Sequence, residues 1–312
     1  MTDLILHHYD GSPFSEKIRL ILGFKGLAWR SVRVPVMLPK PDVVALTGGY
    51  RRTPFLQIGG DIYCDTALMG RVIDRAAPAP PLYPAWAGGQ QHVLAQWADS
   101  ALFWCAIPYT MQPAAVAHLF GGAPPEFLKE FRADRALMTP GMRRATPADA
   151  RAQLASYLGW LEGMLGASGA FLLGADPCIA DFSVVHSLWY IRRAPPVATV
   201  LDPFPRLRAW CERVAALGHG TREELSSAEA LAVAARASAY APVQVESEAA
   251  PGAFEAGTPV TVAATDYATD AVAGTLVGLT NDEVTIERSD PRAGTVHVHF
   301  PRIGYQIKKS EV

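Results

Sequence analysis

Apolar and polar positions divide the chain into three textures. Over the first 77 residues, short apolar runs alternate with helical spacing. LILHHY, residues 4–9, reads as a buried strand. Phe14, Ile18, Ile21 and Leu22 then fall at i, i+4, i+7 and i+8, the stripe of an amphipathic helix that Gly26 stops. AWRSVRV alternates as a second strand. PVMLPKPDVVALTGGYRR is punctuated by Pro and Gly and predicts a loop with about one helical turn. PFLQI, a Gly59-Gly60 turn and DIYC form a hairpin, and Asp65 caps a helix carrying Leu68, Val72 and Ile73 on one face. The order is β-α-β-(α)-β-β-α.

The second texture follows a Pro-rich linker, APAPPLYPAWAGG. Five segments with helical apolar spacing succeed one another: QQHVLAQWADSALFW, PPEFLKEFRADRALM, TPADARAQLASYLGWLEGMLG, ADFSVVHSLWYIRRA and FPRLRAWCERVAAL. Thr146-Pro147 is a strong helix start, an N-cap followed by Pro at the first helical position. The third texture begins beyond a second linker-like stretch. PVTVAAT, AVAGTLVGL, EVTIERS, TVHVHF and GYQIKK are short, β-branched and separated by turn residues, which predicts a small curled sheet or barrel. So small a unit is expected to lean on the helical domain. The expected organisation is a first domain over 1–77, a linker over 78–89, an all-α domain over 90–240, a linker over 241–256 and a small β domain over 257–312.

Composition narrows the function classes. A net charge of −2 with 19% charged residues gives no electrostatic case for nucleic acid or a membrane surface. No apolar run approaches the roughly 18 residues that span a bilayer, and MTDLILHHYDG lacks the basic start of a signal peptide. A cytoplasmic protein is expected. Cys64, Cys105, Cys178 and Cys211 are unevenly spaced with no C-x-x-C pair, so they read as small buried residues in a reducing compartment. His297 and His299 share one strand face, which reads as a solvated face rather than a metal site, and no metal is expected. His7 and His8 point to opposite faces of the first strand.

Three segments carry a resemblance. SPFSEKIRL sets Ser12 at the start of the first helix, with Arg19 seven positions on. RRTPFLQIGGDIYCDTALMGRVI joins Pro54, a hairpin and the pair Asp65-Thr66. FLLGADPCIADFSVVHSLWYI and FPRLRAWCERV complete the set. Together they resemble the cytosolic glutathione transferases, with an omega-like site that has Ser for Cys. The resemblance covers about the first 218 residues and leaves the C-terminal strands outside it. Where the family usually has Ser or Thr, Cys178 stands, and a thiol caps the following helix poorly.

The resemblance implies a thioredoxin-like glutathione-binding domain, an α-helical domain and a homodimer. It implies glutathione as co-substrate and a small electrophile as partner. Ser12 would hydrogen-bond the glutathione thiol and, with the positive end of its helix, favour the thiolate. Tyr9 is the alternative activator. Pro54 is expected to be cis, with the Thr53 backbone pairing the cysteinyl unit. Asp65 and Thr66 would meet the γ-glutamyl end, Lys40 or Arg52 the glycine carboxylate, and Phe14 would join the binding wall. Phe103 and Tyr109 are candidates for the electrophile pocket. Two further readings stay open: a binding or recruitment protein without turnover, and a glutathione-dependent isomerase or dehalogenase. Ser at position 12 argues against thiol-disulfide reduction, because no protein thiol is there to form the mixed disulfide.

Overall fold

The computed structural model describes residues 3–250 and 252–310. Its first elements are β1 (Ile5–His8), α1 (Pro13–Phe24), β2 (Ala28–Arg33), α2 (Pro41–Thr47), β3 (Phe55–Ile58), β4 (Asp61–Cys64) and α3 (Thr66–Ala76). β1 pairs parallel with β2 and antiparallel with β3, and β4 is antiparallel to β3. This is the thioredoxin-like plan that the apolar pattern predicts. One detail differs: α2 runs for seven residues rather than about one turn. Pro41 opens it, and Gly48 closes it in the left-handed region at φ 77°.

The helical region contains α4 (Gln90–Trp97), α5 (Phe103–Thr110), α6 (Pro113–Leu119), α7 (Pro125–Leu137), α8 (Pro147–Ser168), α9 (Ile179–Arg192), α10 (Pro195–Ala198) and α11 (Pro205–Ala215). Thr146 caps α8 as expected, its hydroxyl accepting the Asp149 N–H at 3.2 Å. Cys178 precedes α9, where its own N–H donates to Asp181 at 3.0 Å. Asp181 also accepts from the Leu172 N–H and the Trp210 indole, so the thiol does not leave this helix start unsecured. All four cysteines are free and buried.

The expected all-α stretch is interrupted. Residues Thr221–Glu224 form β5, parallel to β2, before α12 (Ser227–Ala235) returns to helix. The segment TREE has no apolar alternation, because all four residues are exposed at the sheet edge. Backbone pairing alone makes it a strand.

The C-terminal strands are β6 (Pro259–Ala264), β7 (Val272–Leu279), β8 (Glu283–Asp290), β9 (Gly294–Pro301) and β10 (Tyr305–Lys309), in the order β10-β6-β7-β8-β9. β9 and β10 are end strands of that order, yet only residues 302–304 separate them. Five flat strands would put the ends about 19 Å apart, whereas that connection reaches about 14 Å. The sheet must therefore curl, as the sequence predicts. Its attachment was not foreseen. β9 pairs parallel with β4, so all ten strands form one sheet, and the C-terminal unit leans on the thioredoxin-like domain as well as on the helical region, through α12 and the Trp104–Tyr267 contact. The expected second linker is also held: the Ala241 N–H donates to Asp61, and Val245 bridges Leu279 of β7.

Alternate strand residues feed two cores. Leu56 and Tyr63 join α1, α3 and the helical region, while Phe55 and Ile62 join α2, α12 and the C-terminal strands. Among the described residues, no helix is long and apolar enough to cross a membrane.

Candidate active site

A cleft of about 420 Å³ opens where the three regions meet. Phe14, Arg52, Thr53, Pro54, Asp65 and Thr66 line it, six of the residues singled out by sequence. The Thr53–Pro54 peptide is cis. Asp65 is the N-cap of α3 and accepts the Ala67 N–H at 2.9 Å. The uncapped N–H groups of that first turn make the spot favourable for an anion.

Ser12 is 2% exposed and is not among the lining residues. It caps α1: its Oγ accepts the Ser15 N–H at 3.2 Å and donates to the Thr53 carbonyl at 3.3 Å. The hydroxyl thus touches the backbone of the cleft wall from behind. Tyr9, Lys40, Phe103 and Tyr109 also lie off the cleft. The Tyr9 carbonyl closes the turn before α1 by accepting the Ser12 N–H at 3.2 Å. Lys40 reaches the Thr53 hydroxyl at 3.4 Å but borders a separate hollow of about 40 Å³. Burial, followed by repulsion from Arg135, lowers its ammonium to about 8. Phe103 packs on Phe14, with ring centroids 4.6 Å apart, and the Tyr109 hydroxyl donates to the Val197 carbonyl.

Lys17 and Asp99, which also line the cleft, belong to a polar group that sequence reasoning passed over. Lys17 is 0% exposed, donates to Thr66 Oγ1 at 3.2 Å and pairs with Asp99 at 2.5 Å. His186 and Ser183 of α9 approach the same carboxylate at 3.1 and 3.4 Å. Burial pushes the Asp99 carboxyl up, but Lys17 and His186 together outweigh it and hold the group below the usual carboxylate range. Burial keeps His186 below its ordinary value despite Asp99. Asp99 sits in a five-residue π-helical turn, Ala98–Leu102, between α4 and α5. Such a widened turn redirects side chains and recurs at functional sites. A signal for this group exists in the sequence: Lys17 interrupts the apolar stripe of α1, and a lysine there needs a buried partner.

The C-terminal region supplies a further wall through Asp266 and Tyr267 of the β6–β7 loop, Asp282 of the β7–β8 turn and Tyr305 of β10. The Arg52 guanidinium pairs with Asp266, donates to the Tyr267 carbonyl at 2.5 Å and lies 3.9 Å over the Tyr267 ring. It stands 3.8 Å from Asp65. Tyr305 donates to Asp65 Oδ2 at 3.1 Å, and Tyr50 donates in turn to Tyr305 at 3.2 Å. Burial holds both phenols well above their ordinary value, so both stay protonated donors. These residues lie outside the resembling region, and only tertiary pairing brings them here.

Two family models match the chain: glutathione S-transferase N-terminal domain over residues 6–81 and glutathione S-transferase C-terminal domain over residues 113–213. A search among curated proteins found no match. Among solved structures, a glutathione S-transferase-like protein from Pseudomonas syringae is 42% identical, with a TM-score of 0.83, over 99% of this chain and 100% of that one. The likeness therefore includes the C-terminal strands. A beta-etherase from Sphingobium is 18% identical with a TM-score of 0.52, over 69% of this chain and 96% of that one. A rice glutathione S-transferase in complex with glutathione is 20% identical with a TM-score of 0.50, over 69% of this chain and 86% of that one. On the full-length match and the two domain models, the chain belongs to the glutathione S-transferase family.

Proposed function

We propose that the protein is a glutathione transferase, joining the glutathione thiol to a small electrophile. One observation carries the reading: Thr53, cis-Pro54, Asp65 and Thr66, from two separate segments, line one cleft at the start of α3. Glutathione would lie with its cysteinyl backbone along Thr53. Its γ-glutamyl carboxylate would meet Thr66 and the first N–H groups of α3, with Asp65 taking the ammonium. Arg52 would serve the glycine carboxylate.

The thiol then falls near the N-terminal end of α1. The positive end of that helix and the Ser12 hydroxyl both favour the thiolate over the thiol. For Ser12 to act, its hydrogen must turn from the Thr53 carbonyl to the sulfur. The thiolate attacks the electrophilic carbon, a carbon–sulfur bond forms, and the leaving group departs with its electron pair. Holding both reactants in one cleft supplies much of the rate. The reading includes a homodimer, tested by sedimentation of the purified chain.

A second reading has specific support. The Ser12 hydroxyl is already engaged by Thr53, and Arg52 and Asp65 are already held by Tyr267, Asp266 and Tyr305. That arrangement suits a protein that binds without turnover. Calorimetry with glutathione, run beside turnover of a panel of electrophiles, separates the two. Transfer expects binding and turnover, with turnover lost in Ser12→Ala. Binding with no turnover on any electrophile selects the second reading, and no binding defeats both.

A further inference from the structure

We infer that Asp61, His297 and His299 form a binding site for a divalent first-row transition ion, zinc being the natural probe, at the seam between β4 and β9. The strands run parallel, with Asp61 opposite His297 and Tyr63 opposite His299. Alternation along β9 turns both histidines to the face that carries the Asp61 carboxylate. The sequence reading of a solvated face is corrected here, because the β4–β9 pairing buries it: His297 is 8% exposed and His299 is 1% exposed. One donor atom from each of the three residues lies within 4.8 Å of the others. Asp61 Oδ1 is 2.9 Å from His299 Nε2 and 3.9 Å from His297 Nδ1. Zinc bond lengths of about 2.0–2.1 Å put tetrahedral ligand atoms about 3.3 Å apart. The two separations bracket that spacing.

Three observations set this cluster apart from an ordinary polar network. His297 Nδ1 is buried and has no hydrogen-bond partner among the described residues. A buried polar atom aimed at a carboxylate without a bond is costly unless something else binds it. Each histidine also has a second carboxylate on its far side. Glu283 Oε1 lies 2.7 Å from His299 Nδ1, with Thr285 Oγ1 at 3.1 Å, and Glu287 Oε2 lies 3.5 Å from His297 Nε2. At His299 the outer carboxylate is close enough to hold the N–H and leave the inward nitrogen as a lone pair, whereas Glu287 stands by His297 as a charged neighbour without a hydrogen bond. His299 Nε2 and Asp61 Oδ1 are then two acceptors facing each other, a place for a proton or a cation. Finally, the rings are clamped. Tyr240 stacks on His297 at 4.2 Å, Tyr63 stacks on His299 at 4.4 Å, and the Ala241 N–H fixes the other Asp61 oxygen at 2.9 Å.

Two imidazoles and one carboxylate suit zinc and its neighbours, whereas calcium and magnesium demand mostly oxygen ligands. The fourth position falls to water. The ligands come from both sides of the seam, so the ion would fasten the C-terminal strands to the thioredoxin-like sheet. Those strands carry Tyr267 and Tyr305 into the cleft.

The test loads the purified full-length chain with zinc after chelation and dialysis, then repeats it with Co²⁺. The expected result is one equivalent of zinc and the visible d–d band of four-coordinate Co²⁺. Zinc a hundredfold above its Kd should raise Tm by about 5 °C. His297→Ala should lose both signals while keeping the far-ultraviolet circular dichroism of the parent. His297→Cys should recover Co²⁺ with a thiolate charge-transfer band, the longer metal–sulfur bond making up part of the shorter side chain. Failure of the parent chain to take up zinc or Co²⁺ overturns the proposal, as does undiminished uptake in a folded His297→Ala. Neither outcome bears on glutathione binding.

Discussion

Tyr305 donates its phenol to Asp65 Oδ2 at 3.1 Å, across 240 positions of sequence. The donor lies on the last strand and the acceptor caps α3 at the cleft. Tyr305→Phe leaves Tyr50 without its acceptor and Asp65 Oδ2 without its phenolic donor, while Oδ1 keeps the Ala67 N–H. Removing a buried partner costs about 1–3 kcal/mol. Urea unfolding should show that loss with an unchanged m-value, and an m-value shift would mean the C-terminal strands had detached instead.

The Lys17–Asp99 pair makes a sharper case. Lys17→Met should cost about 3 kcal/mol, the low end for breaking a buried pair, because it leaves Asp99, open to the cleft on one side, without its nearest cation. Removing both charges in Lys17→Met with Asp99→Leu should recover much of that loss. A double-mutant cycle measures the coupling, and additivity would show that the pair is not a unit.

Ser12 has two duties that different substitutions separate. Ser12→Ala removes the cap and should cost about 1 kcal/mol, whereas Ser12→Gly keeps most of the capping stability. If the hydroxyl activates the thiol, both variants lose turnover equally despite their different Tm values. Turnover that follows Tm would leave Ser12 as a cap alone and direct attention to Tyr9.

His7 offers a pH test. Its ring stacks on Phe55 and donates to Gln57 Oε1 at 2.8 Å, and burial lowers it from 6.5 to about 4. The folded state therefore prefers neutral His7, and the unfolded state binds the proton first as pH falls. Its contribution is complete above about pH 6.5 and is lost between there and pH 4, at about 1.4 kcal/mol per pH unit. His7→Gln should flatten the stability slope between pH 6.5 and 5 by about that amount. Comparing the two chains isolates His7 from the other histidines, and parallel slopes would refute the burial argument.

The thioredoxin-like order was legible because each element there is set by local periodicity and local turns. Phe14, Ile18 and Ile21 mark α1, and Asp65 marks the start of α3. The cleft residues Thr53, Pro54, Asp65 and Thr66 were legible through a different route, the resemblance of RRTPFLQIGGDIYCDTALMGRVI to the glutathione transferases, and of these only Asp65 also stands out locally, as a helix cap. β5 was not, since TREE becomes a strand only by lying against β2. The β4–β9 pairing was equally hidden: the two strands are more than two hundred residues apart, and nothing in either names its neighbour. The π-helical turn that aims Asp99 leaves no mark in apolar spacing. Lys17 was readable in principle as a charge within an apolar stripe, though its partner was not.

Because β4 is paired on both sides, the exposed rims of the ten-stranded sheet have moved to β5 and β10. One rim is Thr221, Arg222, Glu223 and Glu224, all exposed, and the other ends in exposed Lys308 and Lys309. A foreign strand seeking unpaired backbone meets a mixed but mostly acidic border at one end and a basic one at the other. Charge at such rims discourages edge-to-edge stacking. Taking the C-terminal strands away would return β4, with its apolar Ile62 and Tyr63, to the outside and give aggregation a template that the intact chain conceals.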